Sequence, residues 1–200
     1  MDIEGAVLLG QRQLDFLEKW VEDWQRAKLK VVLSATIFCG GAHIHGSANG
    51  RLHADMDSNG WPQSARNRAL EAIQPSQAVM LAGDIHFGTL HQHGVKEWGD
   101  GPWGYSVPAF ASKQNRKWGP AVAAQGGEIE GIDGSGNHHD RFGNKLTVAA
   151  TAPGANGYGI VRFNKSKMTI ICELHSMNST REPDGKQIPG WPHRIQVVHE

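Results

Sequence analysis

An aspartate and a histidine, Asp84 and His86, stand two residues apart directly after a short apolar segment. That segment, Ala78 to Ala82, has the length of a buried β-strand and breaks at Gly83. If the backbone stays extended, side chains two residues apart project to the same side. Carboxylates and imidazoles bind metal ions, and ligands of open α/β sheets gather beyond the carboxyl ends of the strands. The stretch therefore predicts part of a hydrolytic metal site.

A simple turn is the alternative interpretation of the same four residues. In a turn, Asp84 would accept a hydrogen bond from a backbone amide and His86 would be half exposed. The sequence contains 11 histidines, which favours metal binding without locating it. His91 and His93 follow shortly after His86, and His45 lies in a glycine- and histidine-rich stretch after an earlier apolar segment.

Composition and charge limit the class of protein. The 200 residues suit one domain with a single core. Lysine plus arginine and aspartate plus glutamate both number 20, and this balance argues against a nucleic-acid surface or an anionic membrane as the main partner. No stretch approaches the ~18 apolar residues of a membrane span. The two cysteines, Cys39 and Cys172, could form a disulfide or remain free thiols, and they do not identify a compartment.

The first half of the chain has the pattern of a βαβ unit, which implies two parallel strands joined by a right-handed crossover. Residues 11–27 have apolar positions at helical spacing, and residues 30–38 form a β-branched, apolar run. A long loop over residues 39–59 and a helix over 64–73 precede the strand that ends before Asp84.

The second half is predicted to be mostly β-strand, with a long polar loop over residues 113–140. The turn at residues 164–167 predicts a hairpin between two of these strands. We expect strands over residues 105–110, 145–150, 159–163, 168–174 and 193–198.

Four segments then match, in order, the pattern of a known family. They are LLGQRQLDFLEKWV (residues 8–21), DSNGWPQSARNRALEAI (57–73), VMLAGDIHFGTL (79–90) and GWPHRIQV (190–197). Together with the late hairpin they resemble the C-terminal half of the PhoD-like alkaline phosphatases, within the calcineurin-type metallophosphatase superfamily. The resemblance covers most of residues 7–200. The third segment resembles the Gly-Asp-x-His motif with which that family closes its metal site.

The resemblance implies an α/β fold, a partial metallophosphatase-type β-sandwich with flanking helices in four αββα layers. Residues 1–175 would be the C-terminal half of the PhoD-like domain, and residues 176–200 a tail with a possible last strand. The superfamily's early motifs, an Asp-x-His, a Gly-Asp and a GNH-like motif, do not occur before residue 84. We therefore expect the N-terminal half of the fold to be missing from this sequence.

The resemblance also implies a metal-dependent phosphoric ester hydrolase that acts on a small phosphate monoester or diester. Asp84 and His86 would each bind one of two divalent or trivalent metal ions (Fe, Ca, Mn or Zn), and His45 is a further candidate metal ligand. His91 and His93 are candidate catalytic residues that could hold a ligand in place, contact phosphate or protonate the leaving group. A periplasmic or secreted location is suggested by the resemblance only. We expect the 200-residue chain alone to be incomplete or inactive.

Two other functions remain open from the sequence. A degenerate metallophosphatase fold could serve as a non-catalytic binding or assembly module, because the edges left by missing strands would seek partners and favour an oligomer. A glycine- and tryptophan-rich carbohydrate-binding β domain is a weaker alternative, since the first helix and the βαβ unit argue against it.

Overall fold

The computed structural model describes residues 2–40, 42–45, 51–52, 58–110, 117–118, 135–140, 142–152, 155–177 and 183–198. Its two α-helices are α1 (Gln11–Glu22) and α2 (Gln63–Ile73), and a short 3-10 helix, Gln74–Ser76, follows α2. The strands are β1 (Val31–Ser34), β2 (Ala42–His45), β3 (Arg51–Leu52), β4 (Val79–Ala82), β5 (Gly88–His93), β6 (Trp103–Ser106), β7 (Lys117–Trp118), β8 (Gly136–His139), β9 (Lys145–Ala152), β10 (Gly157–Asn164), β11 (Thr169–Met177), β12 (Pro183–Gln187) and β13 (His193–Gln196).

The first sheet has six strands in the order β1-β4-β6-β5-β9-β8. Strand β4 is parallel to β1 on one side and to β6 on the other. The predicted βαβ unit is confirmed, because α2 connects the parallel strands β1 and β4. The other half of the sheet, from β5 to β8, is antiparallel.

The second sheet is antiparallel and contains the predicted hairpin. Strands β10 and β11 pair from Gly157 opposite Ser176 to Asn164 opposite Thr169. Strands β12 and β13 both pair with β11, and a small third sheet has the order β3-β2-β7. The fold is α/β, as predicted, with mixed and antiparallel sheets and few helices.

Each face of the first sheet is covered by a different layer. On one face Leu90 and Tyr105 pack against the inward side chains of β11, which include Cys172 and Leu174. The Tyr105 hydroxyl donates a hydrogen bond of 2.6 Å to the Glu173 carbonyl, which ties the two sheets together. On the other face, Met80 packs with apolar residues of α2, and Leu17 and Trp20 of α1 join that cluster.

Helix α1 and strand β1 are shorter than the sequence predicted. The helix ends at Glu22 rather than Ala27, and β1 runs from Val31 to Ser34 rather than from Lys30 to Phe38. Lys30 lies between the two elements. Its ammonium group donates hydrogen bonds to the carbonyls of Trp20 and Val21 in the last turn of α1, where backbone carbonyls have no partner within the helix.

Strand β8 was not predicted. Residues 113–140 were expected to form a polar loop, but Gly136–His139 pairs antiparallel with β9 as the last strand of the first sheet. The remaining residues of that predicted loop lie mostly outside the described residues, apart from Lys117–Trp118 in β7 and Ser135 and Asp140 beside β8.

The opposite edge of the first sheet is strand β1, which pairs with β4 and with no other strand among the residues that the structure describes. Leu33 in this strand is 77 % exposed, and Phe16 of the neighbouring helix α1 is 63 % exposed. Between helix and strand lies a cavity of about 660 Å³ with mainly apolar walls. An apolar, unprotected sheet edge of this kind is suited to pairing with another polypeptide.

Two further findings bear on the open questions from the sequence. Cys39 and Cys172 are not joined by a disulfide, and both are buried. Burial raises the pKa of Cys172 to about 12, so this thiol stays protonated near neutral pH.

In the described part of the chain, neither helix has the length and apolar character required to cross a membrane.

Candidate functional site

The Asp84–His86 segment lies at the carboxyl end of β4, as predicted. The backbone, however, is not extended there. Asp84 has φ 69° and His86 has φ 57°. Both residues therefore adopt the left-handed backbone conformation, which residues other than glycine rarely adopt. The condition of an extended backbone is therefore not met, and the segment forms a turn, as in the alternative interpretation. Such conformations cost energy and occur preferentially at functional sites.

Ile85, between the two left-handed residues, anchors the segment in the core. Its side chain is 1 % exposed and packs in an apolar cluster with Ile37 and Phe87. The Ile85 N–H donates to the Gly83 carbonyl at 2.8 Å, which closes a tight turn. With Ile85 buried, Asp84 is exposed and His86 is half-buried, so both polar side chains lie outside the apolar cluster.

The imidazole of His86 has an unused binding position. Its Nδ1 atom is buried and makes no hydrogen bond within the described part of the chain. Buried polar atoms without a partner are rare in folded proteins and call for a ligand, an ion or a water molecule. A histidine nitrogen of this kind, two residues from an exposed carboxylate, has the donor chemistry that a bound metal ion requires.

A complete metal centre is not formed by the described residues. Among them, no three histidine, cysteine, aspartate or glutamate side chains are grouped to hold a metal ion. The backbone of His45 forms the end of β2, but its side chain lies outside the described residues. Asp84 and His86 therefore supply at most two ligands here, and the role predicted for His45 stays a prediction.

Polar groups from strand β1 lie close to the same sheet end. In the parallel register Ser34 stands opposite Ala82, two residues before Asp84. The Ser34 hydroxyl donates to the Thr36 carbonyl at 2.8 Å and accepts a hydrogen bond of 3.0 Å from the Asn59 side-chain amide. We did not predict Ser34 or Asn59 from the sequence, because only the β1–β4 pairing brings them to this edge.

His91 and His93 lie inside the fold rather than at its surface. They are 0 % and 1 % exposed, and their Nε2 atoms are 3.2 Å apart. The Nδ1–H of His93 donates to the Pro102 carbonyl at 2.7 Å, so its Nε2 must accept the hydrogen from His91 Nε2. A direct contact with bound phosphate would require these rings to become exposed, whereas holding other residues in place is compatible with their burial.

Both buried histidines are neutral near pH 7. Burial, together with the nearby positive charge of Arg66, lowers the pKa of His91 to about 3. Burial also lowers the pKa of His93 well below its usual value, and the charges of His91 and Arg66 add to this effect. Neutral imidazoles suit the mutual hydrogen bond, since two protonated rings would have no acceptor between them.

The histidine pair packs directly over strand β6 at Gly104. A side chain at position 104 would place its Cβ atom 2.7 Å from His91 Nε2 and 2.7 Å from His93 Cε1. Glycine at this position therefore allows the two rings, which are nearly perpendicular to each other, to approach the backbone of β6 closely. Because β5 begins two residues after His86, the pair fixes the strand that holds the far end of the Asp84–His86 turn.

Arg66 of α2 is a second buried polar residue near the site. It is 1 % exposed and donates hydrogen bonds to the Phe38 carbonyl at 3.0 Å and the Gly94 carbonyl at 2.7 Å. These bonds connect the segment after β1 with the segment after β5. Burial lowers the pKa of Arg66 to about 10, which leaves the guanidinium charged near neutral pH.

Asp140 joins three loops at the side of the sheet. Its carboxylate accepts hydrogen bonds from the backbone amides of Gly40 (2.5 Å), Phe142 (2.9 Å) and Asn144 (2.8 Å). The Asn144 side chain also donates to the Gly60 carbonyl at 2.8 Å. The sequence signal for this arrangement, an aspartate at the start of a turn that contains Gly143 and Asn144, is visible only in hindsight.

Comparison with known proteins identifies the fold. A solved structure described as "Structure of PhoD" superimposes with a TM-score of 0.59, at 15 % sequence identity. The fold is PhoD-like. The similarity covers 96 % of this chain but 34 % of the PhoD chain, so this chain spans about a third of PhoD. No family model matches the sequence, and no curated protein matches it.

The local geometry at the end of β4 marks one place where a site would lie. The end of β4 carries two left-handed polar residues and a buried nitrogen without a protein partner among the described residues. At this level of sequence identity the comparison establishes the fold and leaves the chemistry to be inferred from the residues themselves.

Proposed function

We propose that this chain carries one part of the active site of a PhoD-like, metal-dependent phosphoric ester hydrolase, with Asp84 and His86 as metal ligands. The observation that carries the proposal is the pair of left-handed residues on either side of buried Ile85. The fold holds both in an unfavourable conformation, which is expected where a side chain has to meet a ligand. The unpartnered Nδ1 of His86 supports the same function.

Each residue has a specific part in this proposal. When metal ions are bound, they polarise a phosphate ester and lower the pKa of a coordinated water. The chain itself would supply the side-chain oxygens of Asp84, the imidazole of His86 and, as a candidate, His45. The substrate would be a small phosphate monoester or diester. His91 and His93 would act as positioning residues, because they fix β5, the strand that follows the turn, against β6.

We expect little or no hydrolysis by the 200 residues alone. The described residues provide no third acidic, histidine or cysteine group beside Asp84 and His86, and this chain spans about a third of PhoD. Weak metal binding should nevertheless be measurable. A longer protein that contains this chain and the remaining ligands should hydrolyse phosphate esters, and Asp84→Ala should abolish that activity.

Metal titration of the purified chain tests the proposal. After treatment with a chelator, Mn²⁺ and Zn²⁺ are titrated into the wild type, Asp84→Ala and His86→Ala, with calorimetric detection. We expect saturable binding by the wild type and its loss in both variants. Asp15→Ala, which removes a carboxylate from α1, is the matched control and should bind as the wild type does. Equal binding by all four proteins would remove Asp84 and His86 from the site.

A non-catalytic assembly module is the second candidate function, and the open edge of β1 favours it. Leu33 is largely exposed there, beside an apolar cavity. Sedimentation analysis combined with metal analysis separates the two functions. A stable oligomer without stoichiometric metal supports the assembly module, whereas a monomer that binds metal through Asp84 supports the hydrolase.

A further inference from the structure

A cavity of about 580 Å³ opens at the end of the first sheet that lies opposite Asp84. Trp103, the first residue of β6, lines it, and so does Gln77, two residues before β4 begins. Asp84 follows the other end of β4, so the strands themselves separate the two places. The volume is within the usual range for small-molecule binding sites.

The walls of this cavity are polar but uncharged. Four glutamines and two tryptophans line it together with proline, glycine and aliphatic residues, and no aspartate, glutamate, lysine or arginine contributes. These glutamines and tryptophans are Trp24, Gln74, Gln77, Gln92, Trp103 and Gln196. An anion or a cation would lose its hydration without meeting an opposite charge, so the lining selects for a neutral ligand.

Three of the glutamines are held in fixed orientations by the backbone. Gln77 Oε1 accepts a hydrogen bond of 2.9 Å from the Val198 amide, so its NH₂ group is left to donate. Gln92 donates to the Gly101 carbonyl at 3.1 Å, and Gln196 donates to the Met168 carbonyl at 3.1 Å. The Oε1 atom of Gln196 is therefore left as an acceptor, whereas that of Gln92 lies next to Gly99, outside the cavity lining. These amide orientations follow from the backbone partners, because a backbone N–H can only donate a hydrogen bond and a carbonyl can only accept one.

The cavity thus offers both donors and acceptors on pre-oriented amides, with aromatic rings beside them. A hydroxyl group both donates and accepts, so a ligand with several hydroxyls can satisfy such a set. The apolar C–H face of a sugar ring matches an indole ring in size and polarity. The ammonium group of Lys30, 4.1 Å from the ring centroid of Trp24, fixes that indole from outside the cavity lining.

We propose that this cavity binds a neutral carbohydrate of one or two sugar rings. Pre-organisation of the amides lowers the entropic cost of binding, while the modest strength of neutral hydrogen bonds keeps the affinity weak. The site is separate from the metal-binding turn, and the proposal does not depend on hydrolase activity. A protein of this kind would be retained on a polysaccharide, while the end of the first sheet that carries Asp84 stays accessible.

Nuclear magnetic resonance of the ¹⁵N-labelled full chain tests the proposal. Methyl α-glucopyranoside, maltose and cellobiose are titrated separately, and the side-chain amide signals of the glutamines are followed. We expect saturable shifts for Gln74 and Gln77 with at least one sugar, and no shift for Gln187, which is exposed on β12. Absence of saturable shifts at Gln74 and Gln77 with all three sugars overturns the proposal.

Substitutions locate the binding and separate it from folding. Gln74 makes no side-chain hydrogen bond in the described part of the chain and lies just after α2, so Gln74→Ala should leave the fold intact. We expect it to weaken sugar binding about three- to tenfold, the usual effect of removing one neutral hydrogen bond. Gln187→Ala is the matched control and should not change the affinity.

Two further titrations test the class of ligand and whether the cavity binds sugar independently of the Asp84–His86 turn. Glucose 6-phosphate should bind no more tightly than the neutral sugars, and a clear preference for it would contradict an uncharged site. Asp84→Ala should titrate with sugar as the wild type does, even if it has lost metal. If that variant instead loses sugar binding while it remains folded, the sugar binds at the other end of the sheet.

Discussion

His91 donates its Nε2 hydrogen to His93 Nε2 across 3.2 Å, inside a core from which water is excluded. The carbonyl of Pro102 determines this direction, because it requires the hydrogen of His93 to be on Nδ1. The two rings lie towards the amino end of β4, because His91 pairs with Gly104 and Gly104 pairs with Met80. Their protonation therefore couples the acidity of the solution to the stability of the sheet.

Acid should destabilise the protein through this pair. Both pKa values are lowered by folding, that of His91 to about 3, so the unfolded chain takes up protons before the folded chain does. The resulting loss of stability begins near the unfolded histidine pKa of about 6.5 and grows as the pH falls. From about pH 7.5 to about pH 5.5, each histidine should remove about 1.4 kcal/mol from the free energy of unfolding.

Urea unfolding at the two pH values measures this effect. His91→Gln retains a donor for His93 but cannot titrate, so its acid-dependent loss should be smaller than that of the wild type by about 1.4 kcal/mol. His138→Gln, on the last strand of the first sheet, is the control and should lose as much as the wild type. An unchanged loss in His91→Gln would show that His91 is not the acid-sensitive group.

Arg66 and Arg68 lie on the same helix but should differ strongly in their contribution to stability. Arg66 is buried and bonded to two backbone carbonyls, whereas Arg68 is exposed. Arg66→Met leaves those carbonyls without donors and should lower the free energy of unfolding by about 3 kcal/mol. Arg68→Met should change it by less than about 0.5 kcal/mol. Similar losses in both variants, measured by urea unfolding, would contradict the buried network.

Glycine at position 84 should separate stability from metal binding. At φ 69° glycine is relaxed while alanine is strained, so Asp84→Gly should be more stable than Asp84→Ala by about 0.5–1 kcal/mol. Both variants should lose metal. The opposite order is expected in α1, where Asp15→Gly should be less stable than Asp15→Ala by about 1 kcal/mol. Thermal unfolding of the four proteins provides the comparison, and the same order at both positions would argue against a left-handed residue 84.

A charge on the open edge of β1 should suppress self-association. If the exposed edge pairs with another copy of the chain, Leu33→Lys places a charge in that contact and should shift an oligomer towards monomer. Phe163→Lys, at a residue on β10 that is 40 % exposed, is the control. Sedimentation velocity measures the outcome, and equal association by both variants would exclude the β1 edge as the interface.

The sequence predicted those parts of the fold that depend on apolar periodicity and local turns. Residues 79–82 are an apolar run before a glycine, and residues 164–167 form a polar turn between apolar strands; both were placed correctly. Strand β8 was missed because Gly-Asn-His-His has no apolar alternation. Its position depends on the backbone pairing with β9, which a local pattern does not reveal.

The candidate site was predicted in part for a similar reason. The sequence located Asp84 and His86 at a strand end, but their left-handed conformations depend on the burial of Ile85 between them. The acceptor role of Asp140 depends on amide donors as far away as Gly40, a hundred residues earlier in the chain. The burial of His91 and His93 follows from packing against Gly104, which no spacing rule predicts.

The strand order of the first sheet has a consequence for synthesis on the ribosome. Strand β5 lies between β6 and β9, so its two neighbours are completed only when residues 106 and 152 have been made. Until β9 is made, β5 has a neighbour on one side only, and the sheet face that carries Leu90 and Tyr105 stays uncovered until β11 follows, so a nascent chain must remain open or be shielded. We therefore expect arrested chains that end before β9 to resist closure and to be captured by chaperones, while chains that extend past β11 escape them.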